Sequence, residues 1–182
     1  TGDELVDENH RPGAGPLVSL CNGWEDACSE AKHLGVRAVR LRAGLVLDEG
    51  GGPLAQLLPV FKFYESDLAG PGRRIISWIH REDMVGMIMF CLDRFTVWGS
   101  LNAVSPDPRP LADFGRLLRR YMGARNWDLV PGEPVSSLLP DASDIILQGC
   151  KVMPAKAKSL GFEFKYENMQ DALEAMYQVP VG

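Results

Sequence analysis

Residues that could bind an anion lie at the ends of predicted strands and turns. Arg42 and Gly44 belong to the end of an apolar segment, and Arg73 follows a turn of glycine and proline. A guanidinium binds phosphate through paired hydrogen bonds, so either arginine is suited to a phosphate-bearing ligand. The simpler alternative is that Arg42 pairs with a carboxylate and Gly44 permits a turn. Glu65 and Asp67 precede Arg73 and would repel an anionic ligand.

A second group of candidate ligand-binding residues lies where a predicted strand is followed by a predicted helix. His80 ends the strand, and Asp83 falls in the first helical turn, where a carboxylate interacts favourably with the helix dipole. His80 could contact a substrate phosphate, but capping of the helix is the favoured role for both residues. Trp78 is a candidate for substrate binding. The core or an interface is the simpler place for the aromatic residues, including Trp24, Trp78, Phe61 and Phe114.

The sequence contains no glycine-rich phosphate loop. The nearest match to G-x-G-x-x-G has Gly13 and Gly15 but Val18 in the third position, and no strand precedes it. The four cysteines form no C-x-x-C pair and are not densely spaced, which favours a reducing compartment over a disulfide framework or a zinc site. An organelle (mitochondrion or plastid) and the cytoplasm both remain open.

Charge and hydropathy exclude two classes of partner. The 182 residues include 24 acidic and 19 basic side chains, so nucleic acid is not an expected partner. No apolar run approaches the roughly 20 residues of a membrane span. The arginines from Arg116 to Arg120 are expected on a solvated helix face, with an acidic docking partner as the alternative.

Strand-like and helix-like segments alternate along the chain. Helical periodicity predicts helices over 17–35, 54–64 with a bend or a boundary at Pro59, 82–93, 111–122, 135–147 and 169–177. Strands are predicted over 36–47, 75–79, 99–104 and 127–130, and 161–166 alternates with period two. In the helix over 82–93 the inward residues are expected to be Met84, Val85, Ile88 and Leu92. This alternation predicts an α/β fold with a largely parallel sheet.

The order of several short motifs carries a family resemblance. They are Arg42–Leu47, Gly50–Gly52, Leu57–Pro59, Ser77–His80 with Asp83, and Gly161–Phe164. With this order and spacing the chain resembles the second half of an atypical short-chain dehydrogenase/reductase of the epimerase-like, cell-division-inhibitor-like branch. Only the C-terminal portion of such a protein is represented.

The resemblance implies an incomplete Rossmann-like parallel sheet with a small C-terminal α+β lobe. Residues 1–109 would form the second half of an NAD(P)-binding domain, and residues 110–182 the substrate-side lobe. Arg42 and Gly44 would then face the nicotinamide, and Arg73, Trp78 and His80 the substrate. The glycine-rich loop and the catalytic tyrosine would precede Thr1, so NAD(P) would bind only with the missing half.

Two functions compete at this point. The first is a non-catalytic accessory or structural subunit of a larger complex, in an organelle or in the cytoplasm, because the chain has neither a phosphate loop nor a tyrosine followed four residues later by a lysine. The alternative is the substrate-side part of an NAD(P)-dependent oxidoreductase or nucleotide-sugar epimerase. Either function predicts another polypeptide that completes the sheet beside residues 36–47, where an edge and an apolar face would otherwise be uncovered.

Overall fold

The computed structural model describes residues 4–67, 70–138 and 149–177. The strands are β1 (Leu5–Val6), β2 (Val39–Ala43), β3 (Leu45–Leu47), β4 (Ile75–Ile76), β5 (Trp78–His80), β6 (Gly99–Ala103), β7 (Arg109–Pro110) and β8 (Lys151–Val152). The helices are α1 (Pro16–Glu30), α2 (Gly52–Tyr64), α3 (Arg81–Asp93), α4 (Leu111–Met122), α5 (Ala124–Leu129), α6 (Val135–Leu138), α7 (Ala155–Ser159) and α8 (Met169–Tyr177). Short 3-10 turns span Ala31–Leu34 and Pro71–Arg73.

Parallel strand pairs dominate the sheet. Strand β2 pairs with β6 over five residues, from Val39 opposite Gly99 to Ala43 opposite Ala103. Strands β3 and β5 are also parallel, as are β1 and β8, whereas β4 and β7 are antiparallel. The predicted α/β class with a largely parallel sheet is therefore confirmed.

Gly44 marks the point where the chain changes strand partner. Its N–H donates to Ala103 O at the end of the β2–β6 pair, and the next N–H, of Leu45, donates to Ser77 O to begin the β3–β5 pair. A Cβ at position 44 would lie 2.7 Å from Ser77 O and 2.9 Å from Val104 Cγ1. Glycine is thus required by close packing, and the single strand predicted over 36–47 is divided here.

Two apolar cores hold these elements together. The first joins α2, α4 and α8, with the stacked rings of Phe61 and Phe114 at its centre, 4.5 Å apart. The second lies between α3 and the β2–β6 pair and includes Met87, Cys91 and Leu101. The first core contains residues from both sides of the boundary predicted after residue 109, and that boundary stays a prediction.

The prediction of which α3 residues point inward was wrong at three positions. Val85, Ile88 and Leu92 are exposed, whereas Asp83, Met87 and Cys91 are buried. The helix carries apolar residues on two opposite faces, so periodicity alone did not identify the face that packs against the sheet.

Three other local predictions also differ from the structure. Helix α2 continues through Pro59, so this residue is not a helix boundary, and buried residues on either side of it pack against the core. Residues 127–130 do not form a strand, since α5 extends to Leu129 and buries Trp127. Residues 161–166 keep their alternating burial but form no strand, because the N–H groups of Lys165 and Tyr166 donate to the Asp83 side chain. The predicted helix over 135–147 is seen as α6, and its later residues lie outside the described part of the chain.

Candidate functional site

A cleft of about 970 Å³ opens at the carboxyl ends of β2 and β6. Its walls are the N-terminal segment before α1, the ends of the two strands and residues 149–152, and its polar lining includes His10, Arg42, Ser77 and Asn102. Ligands of parallel α/β sheets bind at the carboxyl ends of the strands. Of the five predicted site residues, Arg42 and Gly44 lie in this cleft.

Arg42 is bound by a carboxylate from α1. Its Nε and Nη2 donate to the two oxygens of Glu25 at 2.6 and 2.7 Å. This hydrogen bonding lowers the pKa of Glu25 and raises the pKa of Arg42, so both groups are charged at neutral pH. The ion pair that the sequence offered as the alternative role for Arg42 is therefore present.

The same carboxylate organises the polar face of the sheet beneath α1. Ser100 donates to Glu25 at 3.2 Å, and Arg40 Nε lies 3.8 Å from it. Arg40 also donates to Ser29 at 2.6 Å, but its buried Nε has no hydrogen-bond partner among the described residues. One carboxylate thus faces two guanidinium groups, and Glu8 adds a second negative charge that interacts with Arg42.

Ser77 and Asn102 fasten the opposite wall of the cleft. Ser77 Oγ donates to Cys150 O and accepts the N–H of Val152, both at 3.0 Å. Asn102 Nδ2 donates to Met153 O at 3.0 Å. These contacts hold residues 149–153 against the sheet, a role that depends on partners about 50 to 75 positions away in sequence and that no local pattern indicates.

Trp78 and His80 lie outside the cleft. Trp78 is fully buried, and its indole N–H donates to Asp107 O at 2.6 Å. His80 is 4% exposed, its Nδ1 accepts the N–H of Glu82 at 3.1 Å, and its ring lies 4.0 Å from that of Tyr166. Burial lowers the pKa of His80, so the imidazole is neutral at pH 7 and caps α3. His80 lines a separate cavity of about 300 Å³.

Arg73 is also outside the cleft. It lies exposed on the 3-10 turn that packs against α4. The carboxylates expected to repel a ligand there have structural contacts instead, because Glu65 accepts from Trp127 and Arg119 while Asp67 accepts the N–H groups of Gly70 and Gly72. The predicted site is therefore not assembled as one cluster in the described residues.

Asp83, which the sequence placed in the first turn of α3, also makes a tertiary contact that the sequence did not indicate. It is 3% exposed, and its two oxygens accept the N–H groups of Lys165 at 2.7 Å and of Tyr166 at 3.0 Å. The side chain thereby joins the start of α3 to the segment before α8. In the part of the chain that the structure describes, no three His, Cys, Asp or Glu side chains are grouped to hold a metal, and no helix could span a membrane.

Parallel strands, flanking helices and a cleft at the strand ends define a Rossmann-like architecture. Comparisons with known proteins support the short-chain dehydrogenase/reductase and epimerase superfamily for this chain. Residues 130–176 match a family model described as a domain of unknown function, DUF1731.

The individual relatives are epimerase family proteins. The chain is 36% identical over 174 residues to the chloroplastic epimerase family protein SDR39U1 homolog of Arabidopsis thaliana, which covers 96% of this chain and 50% of that protein. The structure is similar to human epimerase family protein SDR39U1 (isoform 2) with NADPH, with a TM-score of 0.76 at 27% identity, over 96% of this chain and 60% of the human one. It is also similar to the nucleoside-diphosphate sugar epimerase of Corynebacterium glutamicum, with a TM-score of 0.72 at 25% identity, over 97% of this chain and 34% of that one. The chain spans about half the length of the curated relatives it matches.

Proposed function

We propose that this chain forms the substrate-side half of an NAD(P)-dependent, epimerase-like short-chain dehydrogenase/reductase. The observation that carries the proposal is the cleft of about 970 Å³ at the carboxyl ends of β2 and β6, lined by Arg42 and Gly44. The similar human protein has NADPH in its structure, which supports a dinucleotide as the ligand class.

The residues of the cleft fit the nicotinamide end of such a cofactor rather than its pyrophosphate. The strand end at Ala43 and Gly44 offers main-chain groups and a small side chain, so a flat ring can approach closely. The sequence has no G-x-G-x-x-G turn to hold a pyrophosphate. A bound NAD(P) would supply hydride transfer. This chain would form one wall of the cleft, and Ser77 and Asn102 would hold that wall in place.

The phosphate-binding half would join this chain along the open edge of β2. Register with β6 directs the N–H and C=O groups of Arg40 and Arg42 toward β6, and those of Val39, Leu41 and Ala43 toward the other edge. No described strand pairs with that edge. Unpaired strand edges readily accept another strand.

The outer edge of β6 is closed by contrast. Glu8 accepts the N–H of Asn102, and Lys156 Nζ donates to the carbonyl groups of Trp98 and Ser100. These side chains therefore already form hydrogen bonds with the main-chain groups that an added strand would have to pair with. Of the two edges of this pair, β2 is the one available for a completing strand.

Exposed apolar residues lie beside the open edge. Leu17, Leu20 and Trp24 on α1 are exposed, and Leu17 and Trp24 line a groove of about 740 Å³ that also includes Leu41 and Ala43. A completing polypeptide that adds a strand to β2 would cover this groove. We propose that this polypeptide carries the glycine-rich loop, either in the same protein or in a second chain.

A non-catalytic accessory subunit is the second candidate function. The observation that favours it is that Arg42, Ser77 and Asn102 all make internal contacts in the cleft. In this alternative the chain and its completing polypeptide keep the fold of the enzyme but catalyse no reaction. The two candidates make opposite predictions about cofactor binding in the assembled protein.

Replacement of Ala43 by phenylalanine tests the cleft. Ala43 is exposed and lines the cleft, so the Ala43→Phe ring would occupy the proposed nicotinamide space without removing a buried contact. We expect at least about tenfold weaker NADPH binding by the assembled protein, which is about 1.4 kcal/mol. Ala55→Phe, at an exposed position on α2 outside the cleft, is the matched control.

Titration calorimetry would measure both variants, with sedimentation velocity to show that assembly is intact. Equal affinity of Ala43→Phe and the unchanged protein would refute the cleft as the cofactor site. Absence of NAD(P) binding in the assembled protein itself would favour the accessory subunit.

Amide hydrogen exchange tests the open edge without any substitution. In the chain alone, the amides of Val39, Leu41 and Ala43 should exchange faster than those of Arg40 and Arg42, which face β6. Addition of the completing polypeptide should slow the three fast amides to the level of their neighbours. The same exchange rates with and without that polypeptide would contradict strand addition at β2.

A further inference from the structure

Two neighbouring turns expose large apolar side chains at the amino ends of β2 and β6. Residues 31–38 lead into β2, and residues 94–98 lead into β6. Arg37 holds the two turns side by side, since its Nη1 donates to Val97 O at 2.7 Å and its guanidinium carbon lies 5.8 Å from the centre of the Phe95 ring. Four apolar residues of these turns are between 55% and 84% exposed: Leu34, Val36, Phe95 and Trp98.

Together with Lys156 of α7, these turns form the amino-end surface of the chain, and it carries an excess of positive charge. Its basic residues are Lys32, Arg37, Arg94 and Lys156. Among the described residues, no carboxylate oxygen lies within 4.0 Å of these four basic groups. The turns themselves contain no carboxylate, and the acidic residues that directly precede them are Glu30 and Asp93. This positive surface belongs to a chain whose net charge is -5.

The positive groups and the aromatic rings lie together. Lys156 Nζ is 5.3 Å from the centre of the Trp98 ring, and it donates to the carbonyl groups of Trp98 and Ser100. The main chain thus fixes this ammonium group beside the indole without neutralising its charge. Aromatic rings with cations beside them suit the boundary of an anionic bilayer, where the ring enters the acyl region and the cation stays among the headgroups.

The amino-end surface lies at the opposite end of the strands from the cleft. Five residues of β2 separate the two, a distance of about 16 Å. A partner on the amino-end surface would therefore leave the cleft open to solvent. Phe95 and Trp98 precede β6, which lies on the far side of β2 from the open edge, so a strand added to that edge would not cover them.

We propose that the amino-end surface docks on an anionic lipid membrane without crossing it. Phe95 and Trp98 enter the boundary between headgroups and acyl chains, and the basic residues beside them face the anionic headgroups. A nucleic acid would match the cations alone, whereas a bilayer also covers the exposed aliphatic side chains of Leu34 and Val36. The proposal does not depend on the cofactor or on the open edge of β2.

Vesicle sedimentation of the protein with its completing half tests the docking. We expect binding to vesicles of phosphatidylcholine with phosphatidylserine, and at least about tenfold weaker binding to phosphatidylcholine alone. Arg94→Gln should weaken binding to the anionic vesicles about fivefold, as expected for one cation near a charged bilayer, and Phe95→Ser by at least as much. Arg125→Gln and Leu129→Ser, at exposed positions on α5, are the matched controls.

Two results of the sedimentation experiment would overturn the proposal. The first is absence of binding to the anionic vesicles, and the second is binding that Arg94→Gln and Phe95→Ser weaken no more than their controls do. Self-association of the protein that Phe95→Ser abolishes, without any vesicle binding, would show that a second copy occupies the surface instead.

Fluorescence quenching by brominated phosphatidylcholine in the same anionic vesicles tests the orientation. Trp98 should be quenched on binding, so Trp98→Phe should remove most of the quenching. Trp24→Phe is the control, because Trp24 is 66% exposed but lies on α1 beside the groove at the carboxyl end of β2. Quenching that persists in Trp98→Phe would place another part of the protein in the bilayer and would overturn the proposal.

Discussion

Replacement of Asp83 by asparagine is the most direct test of how the C-terminal segment is fastened. The change keeps the size of the side chain but converts one acceptor oxygen into an NH₂ donor. In the native protein both oxygens accept main-chain N–H groups, at 2.7 Å from Lys165 and 3.0 Å from Tyr166. The amide of Asp83→Asn can satisfy one of these donors, and the other then faces a second donor.

The magnitude follows from burial. The hydrogen bond from the Tyr166 N–H is fully buried, so the remaining side-chain oxygen of Asp83→Asn will keep it. The hydrogen bond that is lost is the half-buried one from the Lys165 N–H. Loss of one charge-assisted hydrogen bond, with water available to the orphaned N–H, costs about 2 to 3 kcal/mol. In a protein of this size the midpoint of thermal unfolding should fall by roughly 5 to 10 °C.

Urea and thermal unfolding would measure the change. Asp93→Asn makes the same chemical change at the exposed end of α3 and should alter stability by less than about 0.5 kcal/mol. Equal unfolding free energies for Asp83→Asn and Asp93→Asn would refute the assignment of Asp83 as the fastening residue.

Two further predictions concern the cleft. The folded pKa of Glu25 is lowered, so its pairing with Arg42 stabilises the fold above the ordinary carboxyl pKa of 4.5 and is lost as the pH falls through the lower folded value. Glu25→Gln should flatten the pH dependence of the unfolding free energy in that range, and an unchanged curve would contradict the pairing. Gly44→Ala should cost about 1 to 3 kcal/mol in urea unfolding because its Cβ would meet Ser77 O at 2.7 Å. Gly23→Ala, on α1 with no atom within 4 Å of its Cβ, should be neutral or stabilising, and equal effects would contradict the close packing at Gly44.

Strong periodicity explains where prediction from the sequence succeeded. The helices over 111–122 and 169–177 have the predicted bounds, because each has one clearly apolar face and a polar one. Helix α3 also has nearly the predicted bounds, but its second apolar face made the inward residues ambiguous. The hydrophobic pattern of one segment does not indicate which of its own faces another segment covers.

The candidate site shows the same limit for polar residues. Arg42 and Gly44 could be chosen from their position at a strand end, and the cleft contains both. The partners of Arg42 and of Asp83 could not be chosen, because Glu25 lies 17 positions from Arg42 and Lys165 lies 82 positions from Asp83. Trp78 and His80 were reasonable candidates by type, yet burial places them in the core and at a helix cap.

Native mass spectrometry of the protein purified from its source tests the central claim most directly. The account predicts that this chain is recovered with a glycine-rich Rossmann half, in the same polypeptide or in a second one, and with the added mass of NAD(P). Recovery of the complete assembly without any dinucleotide, and its failure to bind added NADPH, would contradict the proposed enzyme half and leave a structural subunit built on the same fold.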